Sequence, residues 1–200
     1  QPGVVRFLEP GAYRMMYGVA RMSKNGTGIS GDNYTYSGSL PGQVIMSLSD
    51  GMGSGAAADQ ESRKVIELLQ QLLETGFSAR SALKMVNTIL MLTGTEQHPA
   101  TLDLCCVDLC SGVLEAMKMG AVATFVLSNG QAEILDAGNL PAGVLSQAEP
   151  ALLSRKLWDN DQIIIITDGV LDACPGLDKE QSLKEYLESM PVKTPQDMAE

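Results

Sequence analysis

Two helical patterns follow one another directly, with β-prone sequence on both sides. From about Ala56 to Thr75, Val65, Leu69, Leu72 and Leu73 fall on one face of a 3.6-residue period, and Gly76 is a natural C-terminal cap. From the capping residue Ser78 to about Leu92, the stripe Ala82, Val86, Ile89 and Leu90 repeats that pattern, and Gly94 stops it. A doubly wound parallel sheet needs a strand after each helix. Two successive helices instead predict an α+β fold, in which antiparallel strands carry an inserted helix pair.

The strands are read from short apolar or alternating runs bounded by turn residues. They are expected at residues 13–22, 32–37, 44–49, 102–109 and 113–118, then in a hairpin, then at 162–167. The hairpin joins 124–127 to 132–135 through Asn129-Gly130, a pair that supplies the positive φ angles of a tight turn. A closing helix is expected over about 181–189. No linker, low-complexity run or internal repeat divides the chain, so 1–200 is read as a single domain.

Charge narrows the function classes. Acids outnumber bases by 24 to 14, and aromatics make up only 4% of the chain. Nucleic acids and anionic membrane surfaces need a positive face, and base stacking needs aromatic platforms, so neither partner is expected. A negative balance suits a site that collects cations. Cys105, Cys106, Cys110 and Cys174 form no CxxC pair and read as buried, reduced core residues of a cytosolic protein. His98, the single histidine, lies in a polar loop, so histidine catalysis or a zinc site would rest on one residue.

Three acids sit beside glycines at the ends of β-like runs: Gly31-Asp32, Asp50-Gly51 and Asp168-Gly169. Strand ends hold side chains rigidly, and carboxylates and backbone carbonyls are hard oxygen ligands suited to magnesium or manganese. Each Asp taken alone reads rather as the start of a turn, and it is the set of three in one chain that favours a cation site. Gly51-x-Gly53-x-x-Ala56 also fits a dinucleotide fingerprint, but that fingerprint needs a strand after its helix, and here a second helix follows.

Gly18-Val19-Ala20, Ser30-Gly31-Asp32-Asn33-Tyr34 and Ser49-Asp50-Gly51-Met52-Gly53-Ser54-Gly55 open a series of motifs. Thr101-Leu102-Asp103-Leu104, Asn139-Leu140-Pro141-Ala142-Gly143 and Thr167-Asp168-Gly169 continue it along nearly the whole chain. Together they resemble the catalytic domain of sporulation members of the metal-dependent type 2C serine/threonine phosphatases. The resemblance implies an α/β/β/α sandwich of two antiparallel sheets flanked by helices. It implies two manganese or magnesium ions, with Asp50 bridging them, Asp32 and the Gly51 carbonyl on one and Asp168 on the other. A metal-bridged hydroxide would then hydrolyse a phosphoserine or phosphothreonine, with Asp32, Asp50 and Asp168 as the catalytic acids and no phosphoenzyme. The implied substrate is a phosphorylated anti-anti-sigma factor that controls a sporulation sigma factor. The implied parent is membrane-associated through segments outside this chain, with this domain in the cytoplasm and a homodimer as a further possibility.

The chain departs from that family's pattern in three places. No Asp-Asp-Met-Thr-like motif, the source of the last ligand, occurs in these residues. Gly120 is followed by Ala121 where some relatives place an acid for a third ion. The phosphate-binding Arg of animal relatives has no counterpart. Asp172 matches an acid of the Asp-Gly-x-x-acid stretch and reads as a residue behind the ligands or as a solvated turn residue. The chain opens on Gln1, and Thr194-Pro195-Gln196-Asp197 carries helix-start signals just before Glu200. We therefore expect a piece of a longer protein, C-terminally incomplete by one helix and one strand. The competing expectation is a catalytically inactive regulatory or binding module of the same fold.

Overall fold

Antiparallel pairing builds both sheets of the computed structural model, which describes residues 11–23, 30–38, 41–51, 53, 55–93 and 99–200. Strands β1 (Asp32–Ser37) and β2 (Gln43–Asp50) precede helices α1 (Ala56–Glu74) and α2 (Ala79–Thr93). Strands β3 (Leu102–Asp108), β4 (Val113–Met119), β5 (Thr124–Ser128), β6 (Gln131–Leu135), β7 (Ala151–Lys156) and β8 (Gln162–Ile164) follow. Helices α3 (Asp168–Ala173), α4 (Lys179–Ser189) and α5 (Pro195–Ala199) end the chain. One sheet has the order β1-β2-β3-β4-β7 and the other β6-β5-β8.

The two-residue period of the strands sorts the core into layers. On β3, Leu102 and Leu104 face Val65, Leu69 and Leu73 of α1 and Ala82, Leu83 and Val86 of α2. Cys105 and Val107, on the opposite face of β3, meet Val126 of β5 and Leu135 of β6 between the sheets. Phe125 points the other way and packs with Leu171, Leu183 and Leu187 of α3 and α4. The layers are therefore α/β/β/α, as the resemblance implies.

Four expectations need correction. Residues 13–22 form no strand. Tyr13 N–H donates to the Leu109 carbonyl at 2.9 Å, but further along the Gln196 side chain brackets the Val19 peptide in place of a neighbouring strand. The segment runs as an extended strap on which Tyr17 stacks against Tyr36 with ring centroids 4.1 Å apart. Second, the final strand stops at Ile164 because β5 pairs with it over three positions only. Asp168 therefore opens α3 and does not end a strand. Third, β7 is an edge strand that pairs with β4 and was not expected. Fourth, Cys110 is exposed in a turn, whereas Cys105 is buried and all four thiols are free. His98, Met52 and Ser54 lie outside the described residues.

Candidate metal centre

Asp32 opens β1, Asp50 closes β2, and the antiparallel register sets them directly opposite one another. Like charges placed across a strand pair repel. Burial, then the facing Asp32 carboxylate, then Asp168 push the Asp50 carboxyl up to about 7. Ser30 Oγ donates to Asp32 Oδ2 at 2.9 Å, and Thr167 Oγ1 reaches the same oxygen at 3.4 Å. Among the described residues no lysine or arginine forms an ion pair with Asp32, Asp50 or Asp168.

The backbone around Asp50 is held from two sides. Its N–H donates to Thr101 Oγ1 at 3.0 Å, and its carbonyl accepts from Thr101 N–H at 3.0 Å. Gly51 N–H donates to the Gly31 carbonyl at 3.2 Å. A Cβ on Gly51 would collide with the Ala58 carbonyl oxygen, so the first turn of α1 can approach only a glycine. A Cβ on Gly31 would lie 3.3 Å from the Gly51 carbonyl oxygen and 3.4 Å from Asp50 Oδ1. The two oxygens thus share one small space that glycine leaves open.

Helix α1 is tied to this edge by polar contacts. Ser62 Oγ donates to the Gly31 carbonyl, and Asn33 Nδ2 donates to Ser62 Oγ at 2.8 Å and to the Asp59 carbonyl at 3.0 Å. Arg21 pairs with Asp59 at 2.8 Å, and hydrogen bonds from Arg21 and Asn33 hold that carboxyl below its usual range.

Across a cleft, Thr167 caps α3 and Asp168 stands at its first position. The cleft is lined by Asp50, Thr101, Asp103, Gly120, Ala121, Val122, Thr167 and Asp168, with Leu48 and Ile166. The wall at Gly120 is fixed by Asn139, whose Oδ1 accepts from Gly120 N–H at 2.8 Å while its Nδ2 donates to the Lys118 carbonyl at 2.6 Å. That role explains one of the motifs of the crossing segment 138–143.

Asp32, Asp50 and Asp168, expected from the sequence, come to one end of the sandwich. Among the described residues no three acids, histidines or cysteines close into a finished cage, and Asp50 is the member that interacts with both others. The donor chemistry suits a divalent cation: hard oxygens, facing carboxylates without a cationic partner, and a carbonyl sharing the space beside Asp50. Asp172 is exposed and pairs with Lys179 at 2.6 Å. Asp103 and Lys118, buried beneath the cleft, were not expected as site residues. Their signal was a charge on the inward face of each of two interior strands.

A family model described as stage II sporulation protein E matches residues 41–200. The chain belongs to the stage II sporulation protein E family. Stage II sporulation protein E of Bacillus subtilis (strain 168) is 30% identical over 197 residues, 98% of this chain and 24% of the relative. The Priestia megaterium protein of that name is 30% identical over 190 residues, 94% of this chain and 32% of the relative. The chain thus spans about a quarter to a third of the length of these relatives. A solved Bacillus subtilis structure holds the type 2C phosphatase domain and a regulatory-domain fragment of the cell fate determinant stage II sporulation protein E. It matches with a TM-score of 0.88 at 30% identity, over 95% of this chain and 57% of that one. The fold described above is that of a type 2C phosphatase domain.

Proposed function

We propose that the 200 residues act as one catalytic domain of a metal-dependent protein serine/threonine phosphatase. The observation that carries this reading is the in-register Asp32–Asp50 pair, with Asp168 facing Asp50 across the cleft. In this reading Asp50 would help to hold both ions, Asp32 and the Gly51 carbonyl would hold one of them, and Asp168 would hold the other. Manganese or magnesium, when bound, supplies an activated water as nucleophile and neutralises charge on the phosphoryl group.

The protein's own residues position and neutralise. A cation between Asp32 and Asp50 would offset the repulsion that full charge on both carboxylates brings. The Thr101 clamp keeps the Asp50 carboxylate facing the cleft. Hydrolysis forms a P–O bond to the water oxygen and breaks the ester P–O bond, releasing phosphate and the serine or threonine hydroxyl. No side chain needs to carry the phosphoryl group. Cys105 is unsuited to do so, because burial holds its thiol well above the usual range.

The substrate in this reading is a phosphorylated regulatory protein, of the anti-anti-sigma type, that acts on a sporulation sigma factor. The parent protein is anchored in a membrane by segments outside this chain, with this domain in the cytoplasm and two copies pairing. None of the helices among the described residues is long and apolar enough to cross a membrane. Phosphate release from a phosphoserine protein by the complete protein, with and without manganese, tests the reading. Release only with metal supports it. Binding of the phosphoprotein without release, at saturating manganese, would favour an inactive regulatory module instead.

A further inference from the structure

Asp103 is almost wholly buried on the inward face of β3, opposite Leu48 of β2 and Lys118 of β4. Its Oδ2 accepts from Lys118 Nζ and, at 2.6 Å, from Thr124 Oγ1. Lys118 Nζ also donates to the Val122 carbonyl at 2.7 Å and to Thr124 Oγ1 at 2.8 Å. The three ammonium protons and the threonine proton are thus all used inside this triangle. One strong valence stays open: Asp103 Oδ1 is buried and meets no hydrogen-bond donor of the described residues. A buried carboxylate oxygen without a donor is costly and needs an explanation. The space beside Asp103 is the cleft that it lines with Asp50 and Asp168.

We propose that Asp103 is a positioning residue of the metal centre, its free Oδ1 accepting a hydrogen bond from a water in the hydration layer of the ion between Asp50 and Asp168. This rests on the metal-centre reading above. Magnesium-type ions keep several waters, and outer partners of a metal site set how its inner layer is oriented. The lysine makes Asp103 suitable for that task. It cancels the acid's charge, so the pair adds no net repulsion to the facing ligand carboxylates. It also fixes Oδ2, which leaves Oδ1 as the oxygen without a partner among the described residues. On the same wall Ala121 offers no carboxylate, whereas Asp103 does.

The test is manganese titration of the complete protein by calorimetry, with thermal unfolding and steady-state kinetics alongside. In Asp103→Asn the amide would turn its carbonyl to Lys118 and present an NH₂ donor to the cleft. The double variant Asp103→Leu/Lys118→Met removes the acceptor and both charges, an exchange that buried ion pairs often tolerate. Both variants should bind manganese about 10–100-fold more weakly, with kcat reduced and KM for the phosphoprotein little changed. Manganese affinity within twofold of the unaltered protein in either folded variant would overturn the proposal, whatever happens to the unfolding temperature. The triangle would then be a core pin only. Asp50→Asn serves as the control: if it too leaves manganese binding intact, the metal-centre reading itself fails.

Discussion

The carboxylates of Asp32 and Asp50 face each other across β1 and β2, in register, and no lysine or arginine of the described residues pairs with either. Two adjoining strand ends hold them there, and the fold cannot separate them without breaking the β1–β2 ladder.

A pH dependence follows from that placement. The Asp50 carboxyl is raised from 3.8 to about 7 by burial and its acidic neighbours. The native state therefore binds a proton more tightly than the unfolded chain. Its contribution to stability is complete below about pH 4 and is lost as pH rises through about 7. Thermal unfolding in a metal chelator should show the midpoint falling between pH 5 and pH 8. Asp50→Asn should flatten that fall, and manganese at pH 8 should restore the midpoint of the unaltered chain. A midpoint that rises with pH over this range contradicts the assignment.

Thr101→Val should loosen Asp50 without touching any carboxylate. The variant loses the acceptor for Asp50 N–H, leaving a donor unmet at a cost of about 1–3 kcal/mol. Urea denaturation should show this loss, and manganese binding should weaken in parallel. Unchanged stability and affinity would mean that Asp50 is held by other contacts.

Gly51→Ala tests how closely α1 must approach. The added methyl meets the Ala58 carbonyl oxygen, which belongs to helix backbone and cannot rotate away. We expect a loss of about 1–3 kcal/mol from overpacking, together with a larger loss of manganese binding than Thr101→Val causes.

The layer assignment is checked by two leucines. Leu69 is fully buried between α1 and the larger sheet, whereas Leu177 is fully exposed. Leu69→Ala should cost about 2–5 kcal/mol, and Leu177→Ala should stay within about 0.5 kcal/mol of zero. Comparable losses from both would contradict the packing described.

Much of the architecture was legible because its signals are local. The stripe on α1, the Asn129-Gly130 turn and the strand ending at Asp50 each depend on neighbouring residues. Strand β7 was not legible. Its sequence Ala-Leu-Leu-Ser-Arg-Lys pairs with β4 on one side only and carries no clear apolar–polar alternation. Residues 13–22 carry β-prone side chains, yet a glutamine side chain takes the place of a strand partner, which is a tertiary fact. Asp32, Asp50 and Asp168 could be named from their glycine neighbours. Asp103 and Lys118 could not be matched, because only the β3–β4 register brings them together.

In the proposed function, the acids gathered at this end of the sandwich hold catalytic metal. Manganese-dependent phosphate release from a phosphoserine protein, compared between the complete protein and its Asp50→Asn variant, is the deciding measurement. Release should need manganese and fall at least about a hundredfold in the variant, an effect of a few kcal/mol on the barrier. Undiminished release by Asp50→Asn would contradict it.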